Sequence, residues 1–138
     1  MRFCKSTSMK IAVFPEQEKW LSSKEKIEAN INDPQVIAFD IYLEETLIGF
    51  IMLRQFDVGC FFLWNYAIDY HFQNQHYGTK ALEEFLEMMK TDYGMHTMTT
   101  TYKLGNNQAQ HLYEKVGFTQ TDIIDENDCH EINMIYHN

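Results

Sequence analysis

Two stretches of the chain carry apolar residues at the i, i+3, i+4, i+7 spacing that gives a helix one buried stripe. Leu82, Phe85, Leu86 and Met89 do so in the first, which predicts a helix from about Tyr77 to Asp92, ended by Gly94. Ala109, Leu112, Tyr113 and Val116 do so in the second, which predicts a helix over Asn106–Val116 with Gly117 placed to stop it in a left-handed turn. Between and around them the pattern is that of strands. The run CFFLWNYAID, residues 60–69, is almost continuously apolar, as in a strand covered on both faces. Val36–Leu43 and Thr46–Arg54 read as a hairpin turning at Glu44-Glu45. Met95–Tyr102 is a threonine-rich strand, and Phe118–Ile124 with Cys129–Tyr136 forms a closing hairpin around the polar residues Asp125–Asp128. At the front, Met9–Phe14 alternates loosely as a short first strand. Pro15, Glu16 and Glu18 then mark a helix start, and Trp20, Leu21, Ile27 and Ile31 carry that helix to about Asn30 before Asp33-Pro34 breaks it. The order β, α, three strands, α, β, α, two strands predicts an α/β domain with helices packed on a mixed sheet.

Length adds that 138 residues make one domain, spanning 1–138, with no room for a second core of similar size. A hydrophobic content of 45% with 14% aromatics supports one compact core. Twenty acidic against 11 basic side chains leave a net charge of −9, which argues against the nucleic-acid phosphate backbone as a partner. The same charge suits a cationic ligand weakly, and an ordinary acidic surface explains it as well. Cys4, Cys60 and Cys129 are scattered and odd in number, which fits a reduced, cytoplasmic protein. They and the six histidines lack metal-ligand spacing, so no metal is expected. No run approaches the roughly 18 apolar residues of a membrane span, and MRFCKSTSMK has no apolar stretch of the secretory kind.

The junction IDYHFQNQHYGTKALEEFLEMM, residues 68–89, is where chemistry enters. A buried strand runs into a short polar turn and then into an amphipathic helix. The free N–H groups of such a helix start, at the positive end of its dipole, attract phosphate without basic side chains. Strand, polar turn and helix also occur as a plain connector. The second segment that changes the picture is GNNQAQHLYEKVGF, residues 105–118, which sets a tyrosine on a helix ending in Gly-Phe before a strand.

Together these segments resemble the GNAT superfamily of N-acetyltransferases. The later helix pattern N-x-x-A-x-x-L-Y-x-x-x-G-F is matched by Asn106, Ala109, Leu112, Tyr113, Gly117 and Phe118. The acetyl-CoA motif Q/R-x-x-G-x-G/A is matched by Gln73 and Gly78, with His76 where its first glycine is usual. Glycine there takes φ > 0 and approaches a pyrophosphate closely; histidine tolerates the left-handed region but adds bulk. FPEQEKWL, LEETLIGFIML and FFLWNYAID extend the likeness over roughly Phe14–Tyr136, and within the superfamily they look most like bacterial spermine/spermidine acetyltransferases.

The resemblance implies a single-domain GNAT-like fold, with a mixed, mostly antiparallel sheet of six to seven strands flanked by helices. It implies an enzyme with acetyl-CoA as co-substrate, whose amine acceptor attacks the thioester directly through a tetrahedral intermediate. Main-chain groups of Tyr66 and Ile68 would meet the pantetheine and acetyl carbonyl where two parallel strands splay. Gln73, Asn74, Gln75, His76, Tyr77, Gly78 and Thr79 would hold the pyrophosphate, Asn106 would contact the pantetheine arm, and Tyr113 would protonate the departing thiolate. The acceptor implied is a small amine or polyamine, with Glu16 and Glu44 as acidic contacts and Trp64 as an aromatic wall. On pattern alone Tyr113 and Trp64 also read as packing residues, and Glu16 and Glu44 as solvated charges. Phe61–Ile68 includes no carboxylate or histidine to serve as base, which leaves a water chain ending at Glu16, Glu44 or Asp69, or binding of the minority neutral amine. A peptide, amino-acid or aminoglycoside acceptor, and a non-catalytic CoA-binding module, are the alternatives. Many relatives pair, which leaves a homodimer open.

Overall fold

The computed structural model describes residues 1–138. Seven strands form one mixed sheet in the order β1-β2-β3-β4-β5-β7-β6. They are β1 (Arg2–Lys5), β2 (Val36–Leu43), β3 (Thr46–Asp57), β4 (Cys60–Ile68), β5 (Thr97–Lys103), β6 (Thr119–Glu126) and β7 (Cys129–His137). Every neighbouring pair is antiparallel except β4 with β5. That exception is forced by the connection, because a crossover helix α2 (Tyr77–Tyr93) returns the chain to start β5 in the direction of β4.

The front of the chain departs from expectation. Met9–Phe14 is not a strand; the first strand is Arg2–Lys5, at the edge beside β2. Four residues give too short an alternation to read, yet Phe3 anchors them by packing edge-on against Phe85 at 5.2 Å. Residues 9–14 run instead as a strap across the sheet. The Ala12 N–H donates to the Asp69 carboxylate and its carbonyl accepts from Tyr70, so its hydrogen bonds go to a turn rather than a strand edge. The single helix expected from Pro15 to Asn30 is broken in two: a 3₁₀ segment Pro15–Trp20 and a short α1 (Lys24–Asn30). The break is chemical. Ser23 caps α1 by accepting from the Lys26 N–H, and the Ser22 N–H donates to the side chain of Asn65 on β4.

Apolar residues divide between the two sheet faces. On one face α2 and α3 (Asn107–Val116) bury Leu82, Phe85, Leu86, Met89 and Tyr113 against Phe39, Ile51, Leu53, Phe61 and Leu63. On the other, Ile11 and the Ile27 and Ile31 side chains of the α1 region cover Ala38, Phe50 and Met52. β4 is sandwiched between them, as its apolar run requires. No helix is long and apolar enough to cross a membrane.

Two irregularities in β4 position the site. In its pairing with β3, Met52 faces Asn65 but Leu53 faces Leu63, so Trp64 is an extra residue and β4 bulges there. In its pairing with β5, the ladder runs only from Cys60↔Thr97 to Leu63↔Thr100. Beyond that point β4 stays on β3 as far as Ile68 while β5 stays on β7 as far as Lys103. The two parallel strands fork.

Candidate active site

The fork leaves main-chain groups without strand partners. The Asp69 N–H donates to the Ile48 carbonyl at 2.7 Å, which sets the alternation of β4: Ala67 faces β3, and the N–H and C=O of Tyr66 and Ile68 face the gap. At the crotch, the Thr100 hydroxyl donates to the Leu63 carbonyl at 3.1 Å, so a side chain caps the last carbonyl before the strands separate. A cleft of about 590 Å³ opens from there, within the range of small-molecule sites.

Above the fork lies the turn between β4 and α2. The backbone N–H groups of Gln73, Asn74, Gln75 and His76 meet no acceptor in the protein, and those of Tyr77, Gly78 and Thr79 belong to the unpartnered first turn of α2. Asn74 and His76 both take the left-handed conformation, at φ 61° and 66°. A turn with left-handed residues and successive free N–H groups is the backbone type of an anion nest. His76 thus adopts the backbone that glycine serves in the family motif, and its imidazole makes no capping hydrogen bond. The mixed outcome is Gln73. Its amide turns inward and donates to the Ile68 carbonyl at 2.9 Å, occupying one of the main-chain groups expected to be free.

Tyr66 contributes more than backbone. Its hydroxyl donates to the Gly78 carbonyl at 2.5 Å, bracing the start of α2 against β4. Burial, and then the neighbouring Tyr113 phenol, raise its pKa well above the ordinary range. Tyr113 is 8% exposed and stacks near Tyr102 and Phe118, with ring centroids 6.4 and 5.3 Å away. Burial pushes its phenol up to about 12, against a smaller lowering by the Thr100 hydroxyl. Asn106 caps α3 by accepting from the Ala109 N–H at 3.2 Å, and its side-chain amide nitrogen has no partner.

Of the residues expected from sequence, Trp64, Tyr66, Ile68, Gln73, Asn74, Gly78, Asn106 and Tyr113 all border this one cleft. Gln75, His76, Tyr77 and Thr79 lie on the nest beside it. Glu16 and Glu44 do not border it: Glu16 is on the solvent side of the 3₁₀ segment, and Glu44 sits exposed in the β2–β3 turn. Asp69 is engaged elsewhere. Burial alone would raise its pKa, but the backbone N–H groups of His71 and Ala12 and the His71 ring outweigh that and hold it below the usual carboxylate value. Sequence reasoning missed the far wall, where Gln17, Trp20, Lys26, Asn65, Lys103 and Glu131 come from five separate elements. Nothing in their spacing groups them; only the strap and the β5–β7 pairing do.

The profile of the acetyltransferase (GNAT) family matches residues 5–118. No curated protein sequence matches the chain. Among solved structures, a GNAT family acetyltransferase from Elizabethkingia anophelis with acetyl-CoA bound superposes with a TM-score of 0.76 at 21% identity, covering 99% of this chain and 97% of that one. The spermidine N-acetyltransferase from Vibrio cholerae in complex with CoA and spermine gives 0.68 at 19% identity, over 84% of this chain and 76% of that one. An aminoglycoside acetyltransferase in complex with coenzyme A gives 0.73 at 14%, over 96% and 95%. At such identities these likenesses speak for the fold. With its profile match covering most of the length and its forked sheet, the chain belongs to the GNAT family of acetyltransferases.

Proposed function

We propose that the chain, acting as one domain over residues 1–138, transfers an acetyl group from acetyl-CoA to the primary amine of a small molecule. The observation that carries this reading is the run of unpartnered N–H groups from Gln73 onward, opening beside a strand fork that Tyr113 also faces. Seven consecutive amide donors at the positive end of a 17-residue helix fit a pyrophosphate, with no basic side chain required. The free side-chain nitrogen of Asn106, the main-chain groups of Tyr66 and the N–H of Ile68 fit the amide-rich pantetheine.

Acetyl-CoA supplies an activated thioester, so the protein need not form an acyl-enzyme. A main-chain N–H at the fork, directed at the thioester oxygen, stabilises the charge that develops there as the amine attacks, worth on the order of 3 kcal/mol. Tyr113 stays protonated at every physiological pH and gives its proton to the departing sulfur as the carbon–sulfur bond breaks. An alkylammonium has a pKa of about 10, so the acceptor must lose a proton first. Glu131 is the one carboxylate among the residues lining the cleft, which supports it as the group that takes up that proton. The ammonium loses this first proton before it attacks; the nitrogen gives up a second as the amide forms, and that one restores Tyr113 through water after Tyr113 has protonated the sulfur.

A polyamine acceptor draws its support from the spermidine acetyltransferase neighbour, which shares the fold at 19% identity. Of the contacts expected for it, Glu16 and Glu44 stand off the cleft wall, and Trp64 borders the cleft with Lys26 and Arg54 already against its ring. The reading is tested by thermal shift with acetyl-CoA and with desulfo-CoA, followed by thiol release in the presence of a panel of primary amines. A stabilised protein that releases CoA only when an amine is present is the expected result.

A further inference from the structure

The charge of the cleft wall is opposite to that of the molecule. The chain carries 20 acidic and 11 basic residues, yet two lysines, Lys26 and Lys103, border the cleft against one carboxylate, Glu131. Neither lysine is in an ion pair. The Lys103 ammonium donates to the carbonyl of Lys19 at 2.9 Å, an uncharged partner that holds it at the rim without neutralising it. The Lys26 ammonium lies 5.8 Å from the ring centroid of Trp64, on the bulge of β4. Lys19, also without an acidic partner, lies 4.6 Å over the ring of Trp20, another wall residue. The fourth cation nearby is already satisfied: Arg54 faces Trp64 but bonds Gln35 at 2.9 Å and Asp33 at 3.4 Å. Lys26 belongs to α1, whose apolar residues pack on the sheet face opposite α2, so it is not part of the amide nest.

A diammonium or triammonium chain entering this wall meets repulsion from Lys26 and Lys103 and attraction from one glutamate, Glu131, the register partner of Lys103 across β5 and β7. An amine that carries its own anion meets the reverse, with its ammonium toward the fork and its anion toward Lys26 and Lys103. We infer that the acceptor is a small primary amine bearing a carboxylate, of the amino-acid class, selected by Lys26 and Lys103. This rests on the acetyltransferase reading above and names its substrate class.

The test compares each common L-amino acid with its own carboxamide, and with spermidine, at saturating acetyl-CoA, reading thiol release. The best carboxylate form should exceed its carboxamide and spermidine in kcat/KM by roughly tenfold, the worth of one charge-assisted contact. In the Lys26→Glu, Lys103→Glu double variant that preference should vanish while the KM for acetyl-CoA changes by less than about twofold, because neither lysine touches the amide nest. Preference for spermidine or for the carboxamides overturns the inference, as does a preference that survives the double variant. Ligand-observed NMR of the same pairs decides the matter where turnover is too slow to measure: carboxylate-selective binding lost in the double variant supports it, and equal or carboxamide-selective binding overturns it. Failure of acetyl-CoA to bind, measured separately by calorimetry, overturns the transferase reading itself and the inference with it.

Discussion

The side-chain amides of Gln17 and Gln73 donate to each other at 2.8 Å in both directions, joining the 3₁₀ segment to the amide nest across the mouth of the cleft. Gln17 also accepts from the Phe14 N–H, and Gln73 also donates to the Ile68 carbonyl. The clasp therefore ties the 3₁₀ segment to the turn before α2 and, through Gln73, fills a main-chain acceptor at the fork.

Replacing Gln17 by Ala removes both mutual bonds and the Phe14 contact. Two or three half-exposed hydrogen bonds lost amount to about 1–2 kcal/mol. A lower melting temperature and an acceptor KM raised roughly fivefold are expected, with the KM for acetyl-CoA nearly unchanged. Steady-state kinetics with each substrate varied in turn separate the two effects.

At Gly78 the fold itself leaves room for a side chain. A Cβ there would meet only Ile68 Cγ1, at an ordinary 3.7 Å, and Gly78 has no positive φ. Gly78→Ala should fold as well as the parent or gain up to about 1 kcal/mol from helix propensity. Gly78 borders the cleft, so with a methyl there acetyl-CoA affinity should fall by roughly tenfold. Calorimetric Kd against melting temperature distinguishes a residue kept for binding from one kept for folding.

Tyr113→Phe removes the hydroxyl and keeps the ring against Tyr102 and Phe118. If that hydroxyl is the acid, kcat should drop roughly a hundredfold while acetyl-CoA binding holds. The pH dependence carries its own sign. A tyrosine acid is active while protonated, and burial moves its loss from the ordinary value near 10 up to about 12. Activity should therefore rise as the acceptor amine deprotonates and show no falling limb up to pH 10.5; a fall centred near 10 would contradict the assignment.

How much of this was legible in the chain depends on whether neighbours in sequence are neighbours in space. The helices α2 and α3 were readable because Leu82, Phe85, Leu86 and Met89, and Ala109 to Val116, repeat at helical spacing within one element. The fork was reachable only through family resemblance, since no pattern in Trp64–Ile68 states that β5 stops pairing at Thr100. The strap misled because Met9–Phe14 alternates like a strand while its hydrogen bonds go to Asp69 and Tyr70, some 57 residues on. The lysine-lined wall was invisible for the same reason: Lys26, Lys103 and Glu131 meet only once the sheet is assembled.

His76→Gly bears on the one departure from the family motif. The left-handed backbone at His76 costs a non-glycine residue about 1 kcal/mol, and no side-chain bond offsets it. Stability should be equal or slightly higher in the variant, with acetyl-CoA Kd within about twofold of the parent. A loss of tenfold or more would mean that the imidazole itself contacts phosphate.

The amide nest is best tested at its own atoms. In a ¹H–¹⁵N NMR titration with CoA, the backbone amides from Gln73 to Thr79 should show the largest downfield proton shifts in the protein, and pantetheine, which lacks the pyrophosphate, should leave them in place. Saturating binding of CoA with those amides unmoved would contradict the account.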